Sequence, residues 1–374
     1  MKMKLELVLK LLVFICSSSV YAITDPNPTD VLAAMNAANN YFTGNNPSGD
    51  CGWTRGTYFA GSISHYQRTC DTGTAGCNKT LLTWIETWAE GHNFSCSGSI
   101  NANDEACGQT YLHLYELSKN TNALNLRYTL DKQVNNHTFN GDWNWVDALF
   151  MALPTFVRFA NVTGDTSYLL KAWELYNFTA YIDGPASNGH GPGLWWAPDG
   201  LFFRDASYFK QVSPNGKPVF WARGNGWAMA ALARALSYLD SSPSSPMHFI
   251  YTEFENKLVS MANALLPLQG VDGMWRTNLL DAEQYPNHET TGTSLYTHAI
   301  ASGINQGILD KSTFSPVVSK AWTGLSTLAL QPNGLVGWCQ PVGAAPGNTT
   351  ATSTSDFCVG QFLLAGDEVI KLYR

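Results

Sequence analysis

Apolar residues recur along this chain at intervals of three and four far more often than at every second position, which is the signature of amphipathic helices. The pattern predicts helices over 29–42, 55–67, 79–91, 105–118, 122–135, 144–162, 166–182, 225–239, 247–266, 289–304, 313–329 and 357–372. Turn chemistry separates them, as at Gly164-Asp165, 241–246, 270–273 and Pro332-Asn333-Gly334. Strand signals are short. Leu194-Trp195-Trp196, Leu201-Phe202-Phe203 and Val219-Phe220-Trp221 fit small hairpins carried on loops. Some dozen helices with no long linker, and without the fixed-length repeat of a solenoid, predict an all-α fold of paired helices closed into an (α/α)6 barrel. Inner helices would surround a pocket and outer helices pack on them. The long segments 183–222 and 267–288 would build its mouth.

The first 22 residues read differently. Lys2, Lys4 and Lys10 supply positive charge, Leu7 to Ile15 an apolar run, and Val20-Tyr21-Ala22 a small-residue cleavage site, as in a secretory signal. The run is roughly half the ~20 residues needed to span a bilayer. The expectation is a secreted, extracellular protein, free of the membrane after cleavage, with 23–374 as one catalytic domain. Asn-x-Ser/Thr sequons at Asn78, Asn93, Asn136, Asn161, Asn177 and Asn348 then favour a glycoprotein.

Of the 8 cysteines, Cys16 would leave with the signal. An oxidising compartment permits disulfides. Cys70–Cys77 and Cys339–Cys358 each bracket a polar segment and are expected to pair. Cys51–Cys96 is a further candidate, with Cys107 left as the free thiol because it falls in a helical pattern. No CxxC or HExxH suggests zinc. The formal net charge is -7 and no basic stretch is visible, so nucleic acid is not an expected partner. An acidic ligand would have to be met by local positive charge.

Two clusters carry candidate chemistry. Val219-Phe220-Trp221-Ala222-Arg223-Gly224-Asn225-Gly226-Trp227 joins an arginine, two tryptophans and two glycines just before an Ala-rich helical pattern. Aromatic faces suit sugar rings, arginine suits a carboxylate, and a helix start offers backbone N–H groups. The alternative is a tryptophan pair in the core with Arg223 in a structural ion pair. Asn225 would bind sugar hydroxyls or only shape its turn. In Trp143-Asn144-Trp145-Val146-Asp147-Ala148-Leu149-Phe150-Met151, Trp143 and Met151 share the helical face of Asp147. Desolvation there would raise the pKa of Asp147 and suit a proton donor. The alternative is an exposed acid at a helix start. A third acid lies in Asn103-Asp104-Glu105, where Asp104 or Asn103 could equally cap the next helix.

These segments resemble glycoside hydrolase family 105, the unsaturated rhamnogalacturonyl hydrolases, with family 88 unsaturated glucuronyl hydrolases as more distant relatives. The carriers are Trp145-Val146-Asp147-Ala148-Leu149-Phe150-Met151 and Trp221-Ala222-Arg223-Gly224-Asn225-Gly226-Trp227, with weaker matches at Glu289-Thr290-Thr291-Gly292-Thr293-Ser294 and 359–365. The resemblance implies an (α/α)6 barrel and removal of a 4,5-dehydro uronyl residue from the products of pectin lyases. The C4=C5 bond is hydrated, and neither metal nor organic cofactor is needed. It implies Asp147 as general acid/base and Asp104 as a second essential aspartate, with Asn103 the neighbouring candidate. Arg223, Trp221, Trp227 and Trp145 would lie around the sugar. Arg204 stands where some relatives carry a pocket histidine. The rival readings are an inverting glycosidase, a uronate lyase, or a sugar-binding protein without turnover.

Overall fold

The computed structural model describes residues 24–46, 49–72, 76–95, 101–135, 143–182 and 192–374. Residues 1–22, Cys96, Asn136 and His190 lie outside the described residues. Twelve α-helices are found among the described residues, and their starts follow two rules. Asn27, Asn78, Asp165 and Asp310 each accept a hydrogen bond from a backbone N–H of the following first turn. They open α1 (Pro28–Asn45), α3 (Lys79–Gly91), α7 (Thr166–Asn177) and α11 (Lys311–Gly324). By contrast α4 (Gly108–Ser118), α6 (Ala148–Thr163), α8 (Ala222–Leu236) and α12 (Asp356–Tyr373) begin without a side-chain cap. The remaining helices are α2 (Trp53–Thr72), α5 (Arg127–Val134), α9 (His248–Leu265) and α10 (Thr290–Asn305).

Packing separates the two sets. The even-numbered helices touch in a closed ring, α2–α4–α6–α8–α10–α12 and back to α2. The odd-numbered ones lie outside: α1 on α12 and α2, α3 on α2, α7 on α6, α9 on α8, and α11 on α10. This is the (α/α)6 arrangement. Burial follows from it: α8, α10 and α12 are covered on nearly every side, as helices inside a ring must be. Close packing at one seam needs glycine. A Cβ on Gly61 of α2 would come within 2.0 Å of the carbonyl oxygen of Gly360 of α12, so the two backbones meet closely at this one glycine pair.

Local structure departs from the sequence pattern in identifiable places. The predicted helix 105–118 is a 3-10 turn over Ala102–Glu105 followed by α4, and 122–135 divides likewise at 121–124 and α5. The helix expected from 225 starts at Ala222, which places Arg223 in its first turn. The hairpin is real but minimal: β1 (Trp195–Trp196) pairs antiparallel with β2 (Leu201–Phe202), Trp195 opposite Phe202. Val219-Phe220-Trp221 is not a strand; it makes an isolated bridge from Trp221 to Asn278.

The cysteine expectations need correction. Cys70–Cys77 is a disulfide as expected. Cys339 and Cys358 remain buried thiols in hydrogen-bonding contact, not a disulfide. Cys51 is also a free thiol, which removes the Cys51–Cys96 pair. Cys107, expected to be free, is disulfide-bonded. Its helical pattern was a poor guide, because the residue sits at the start of α4, beside a loop. No helix among the described residues is long and apolar enough to cross a membrane.

Candidate active site

The starts of the inner helices converge on a cavity of about 240 Å³. Trp53 comes from the first turn of α2, Asn103 from the turn before α4, Asp147 from the residue before α6 and Arg223 from the first turn of α8. Met151 follows one turn after Asp147. Trp145 and Arg204 stand on the connecting segments, and Val342 and Gly343 cover the rim. Uncapped helix starts leave backbone N–H groups and the positive dipole end facing inward, a setting that favours an anion.

Asp147 precedes α6 but makes no capping hydrogen bond. Its carboxylate is held by Arg204 Nε at 3.2 Å and is 13% exposed. Burial raises its pKa above the ordinary carboxylate value. Arg204 and Arg223 pull the other way without cancelling that rise. The exposed-acid alternative therefore does not describe this residue. Arg204 also donates to Asp205 Oδ2 at 2.8 Å, and its guanidinium carbon lies 5.9 Å from the Trp145 ring centroid. Its backbone oxygen accepts from Val146 N at 2.9 Å, so the segment carrying Arg204 is stitched to the one carrying Asp147.

Arg223 is 1% exposed, with its guanidinium between the rings of Trp221 (4.6 Å) and Phe357 (4.9 Å). It donates to the carbonyl oxygens of Gln340 at 2.6 Å and Pro341 at 2.8 Å. Two of its five N–H donors are thereby used, and these bonds anchor the loop that brings Val342 and Gly343 to the rim. Burial lowers its pKa, with the Glu289 carboxylate opposing. Glu289 is fully buried. It caps α10 by accepting from Thr291 N at 2.9 Å and Gly292 N at 2.6 Å.

Of the residues that the sequence placed at the sugar, Asp147, Arg204, Arg223 and Trp145 meet in this cavity. Three others do not line it. Trp221 and Trp227 are each 1% exposed: Trp221, just before α8, is covered by the segments carrying Asn278 and Gln340, and Trp227 packs in the core between inner helices. Trp221 Nε1 donates to Gln340 Oε1 at 2.9 Å, and Trp227 packs on Phe150 and on the edge of Trp53. Asn225 spends its amide on the backbone of β2: Oδ1 accepts from Phe202 N at 2.7 Å, and Nδ2 donates to Phe202 O at 2.9 Å. At the third acidic segment Asn103, not Asp104, lines the cavity. Neither caps the turn, since that role belongs to Asn101, which accepts from Asn103 N. The sequence reading missed Trp53, Val342 and Gly343. No local signal points to them, because they reach the cavity through the ring closure and through the loop held by Arg223. The expected mouth segment 267–288 supplies no lining residue here.

Comparison with known families matches residues 30–373 to Glycosyl Hydrolase Family 88. An unsaturated 3S-rhamnoglycuronyl hydrolase of Formosa agariphila is 33% identical over 344 residues, covering 86% of this chain and 84% of the relative. Among solved structures, a family 88 glycosyl hydrolase from Bacteroides vulgatus is 30% identical with a TM-score of 0.82, covering 93% of this chain and 100% of that one. A protein named as a polysaccharide lyase is 29% identical with a TM-score of 0.80, covering 92% and 98%. The helical barrel, the convergent helix starts and these matches together place the chain in Glycosyl Hydrolase Family 88, as a glycoside hydrolase.

Proposed function

We propose that this glycoside hydrolase removes the 4,5-dehydro uronyl residue from the non-reducing end of rhamnose-containing oligosaccharides left by a polysaccharide lyase. The observation that carries the reading is Asp147, a carboxylate at an uncapped helix start whose burial favours the protonated form beside two arginines. The substrate carboxylate would lie against Arg223 and the inner helix starts. Asp147 gives its proton to C4 of the enol ether, and positive charge develops at C5, shared with the ring oxygen. Water adds at C5 and returns a proton to Asp147. The hemiketal opens and the aglycone leaves. Arg204, 3.2 Å from Asp147, would stabilise the carboxylate between the two proton transfers. Trp145 and Trp53 offer ring faces for stacking. The relative's name, which joins an unsaturated rhamnose–uronate linkage to hydrolysis, supports the substrate class.

Export belongs to the same proposal. The basic and apolar pattern of residues 1–22 and the Cys70–Cys77 disulfide support it, and the sequon residues Asn93, Asn161 and Asn348 are exposed. A second reading, β-elimination on a saturated uronide, is favoured by the likeness to the polysaccharide lyase. It needs a base for the C5 proton, and burial favours the protonated form of Asp147, which has no free carboxylate lone pair to take that proton. One ultraviolet assay separates them. Hydration destroys the absorbance of an unsaturated galacturonyl-rhamnose disaccharide. Elimination creates absorbance from the saturated oligosaccharide. Loss on the first and no gain on the second is the expected result; a gain on the second with no loss on the first would overturn it.

A further inference from the structure

A second cavity, of about 310 Å³, lies at the opposite end of the barrel, where the C-terminal halves of α2, α8, α10 and α12 meet. Its volume falls within the range of small-molecule sites, about 300–1,000 Å³. Three of the polar side chains lining it carry atoms without a hydrogen-bond partner among the described residues. His298 is 2% exposed and His113 is 7% exposed, and the Nε2 atom of each is buried without a hydrogen bond. Arg234 donates through Nε to Gln109 Oε1 at 2.7 Å. Among the described residues no acceptor takes its two terminal nitrogens, and no carboxylate comes within ion-pair distance of it.

Cations at helix C-termini have an ordinary explanation, the negative end of the dipole. Lys371 fits it, since it stands in the last turn of α12 and also pairs with Asp367 at 2.8 Å and Glu368 at 2.7 Å. Asp367 in turn binds Arg68 at 2.8 Å. Those acids are therefore engaged by other cations, and Arg234 makes no bond to a helix-end carbonyl. The histidines sharpen the chemistry. His298 Nδ1 lies 3.1 Å from Leu364 O, which can only accept, so the proton is on Nδ1 and Nε2 presents a lone pair. Burial keeps both imidazoles neutral, and that of His298 is pushed down to about 3.

We propose that this rear cavity is a binding site for a small hydroxylated carboxylate, such as a free sugar acid. The carboxylate is held by the Arg234 fork, and a ligand hydroxyl donates to His298 Nε2. Ser302 and Gln67 line the same space and offer further polar contacts. A bare inorganic anion would satisfy Arg234 but leave the histidine acceptor empty, and a neutral sugar would do the reverse. The site is separate from the front pocket and does not rest on the reaction proposed there.

The test uses the full-length protein with labelled histidine. D-galacturonate, inorganic sulfate and galactose are titrated while the imidazole resonances of His298 and His113 are followed. The expected result is saturable perturbation by galacturonate, at least tenfold tighter than by sulfate or galactose. Arg234→Gln should weaken it tenfold or more. Ser237 is exposed at the cavity mouth, so Ser237→Trp should block binding with little risk to folding. Hydrolysis at the front pocket should be retained in both variants. No perturbation by galacturonate, equal binding of sulfate, or undiminished binding in the Ser237→Trp protein would overturn the assignment.

Discussion

Asp147 stands where a capping acid belongs and does not cap, so its carboxylate is left to the cavity and to Arg204. The chemistry assigned to it has a pH consequence. Under the proposed hydration Asp147 must start protonated, so the rate should fall as pH rises through a pKa lying above the ordinary carboxylate value. Arg204 opposes that rise. Replacing it, in Arg204→Gln, should move the alkaline limb of the kcat profile to higher pH; an unmoved or lowered limb would contradict the role given to the pair. Asp147 was legible in the sequence because Trp143 and Met151 flank it at helical spacing, and Met151 does share its cavity. Trp221, Trp227 and Asn225 misled for a physical reason. A motif dense in aromatic and amide groups looks alike whether it faces a ligand or the inside of a helical ring. Only the ring decides which.

Inner helices open without side-chain caps at four of six positions, and outer helices take Asn or Asp caps at four of six. The difference keeps the positive helix ends available at the cavity. Helix existence was readable from periodicity. Helix starts were less so where a 3-10 turn precedes the helix, as at Ala102–Glu105. Asn225 shows how one element supports another, since its amide ties α8 to β2 next to the segment carrying Arg204. Asn225→Ala would strand the buried N–H and C=O of Phe202, at a cost of about 1–3 kcal/mol for each unsatisfied group. Denaturant unfolding should show that loss, with kcat reduced through Arg204; an unchanged midpoint would refute the supporting role. Gly360→Ala should destabilise by about 1–3 kcal/mol or more, because the added carbon meets the Thr57–Tyr58 backbone at 2.4–2.5 Å. Wild-type stability in that variant would contradict the seam described between α2 and α12.

At the scale of the molecule, the ring gathers groups far apart in sequence. Trp53, Asn103, Asp147, Arg223 and Gly343 become neighbours, which no local pattern could disclose. The barrel itself was legible, since a dozen periodic segments have few other ways to bury their faces. Its interior also holds histidines that stay neutral. Burial lowers His65 to about 4 and His298 to about 3, below the unfolded value near 6.5. On acidification the unfolded chain takes up protons first, so stability is fully present above that unfolded value and is lost as pH falls toward the folded values. Thermal unfolding should show a falling Tm below about pH 6.5, less steep in His65→Gln than in the parent; a Tm independent of pH in that window would refute it.

Protonation of the C4=C5 bond by Asp147, as proposed, would be read in the decay of ultraviolet absorbance of an unsaturated galacturonyl-rhamnose disaccharide, with wild type and Asp147→Asn compared at equal folded concentration. Decay is expected with wild type, and a rate lower by at least about 100-fold in the variant. Equal decay in both proteins would contradict it and move the proton donor elsewhere in the cavity.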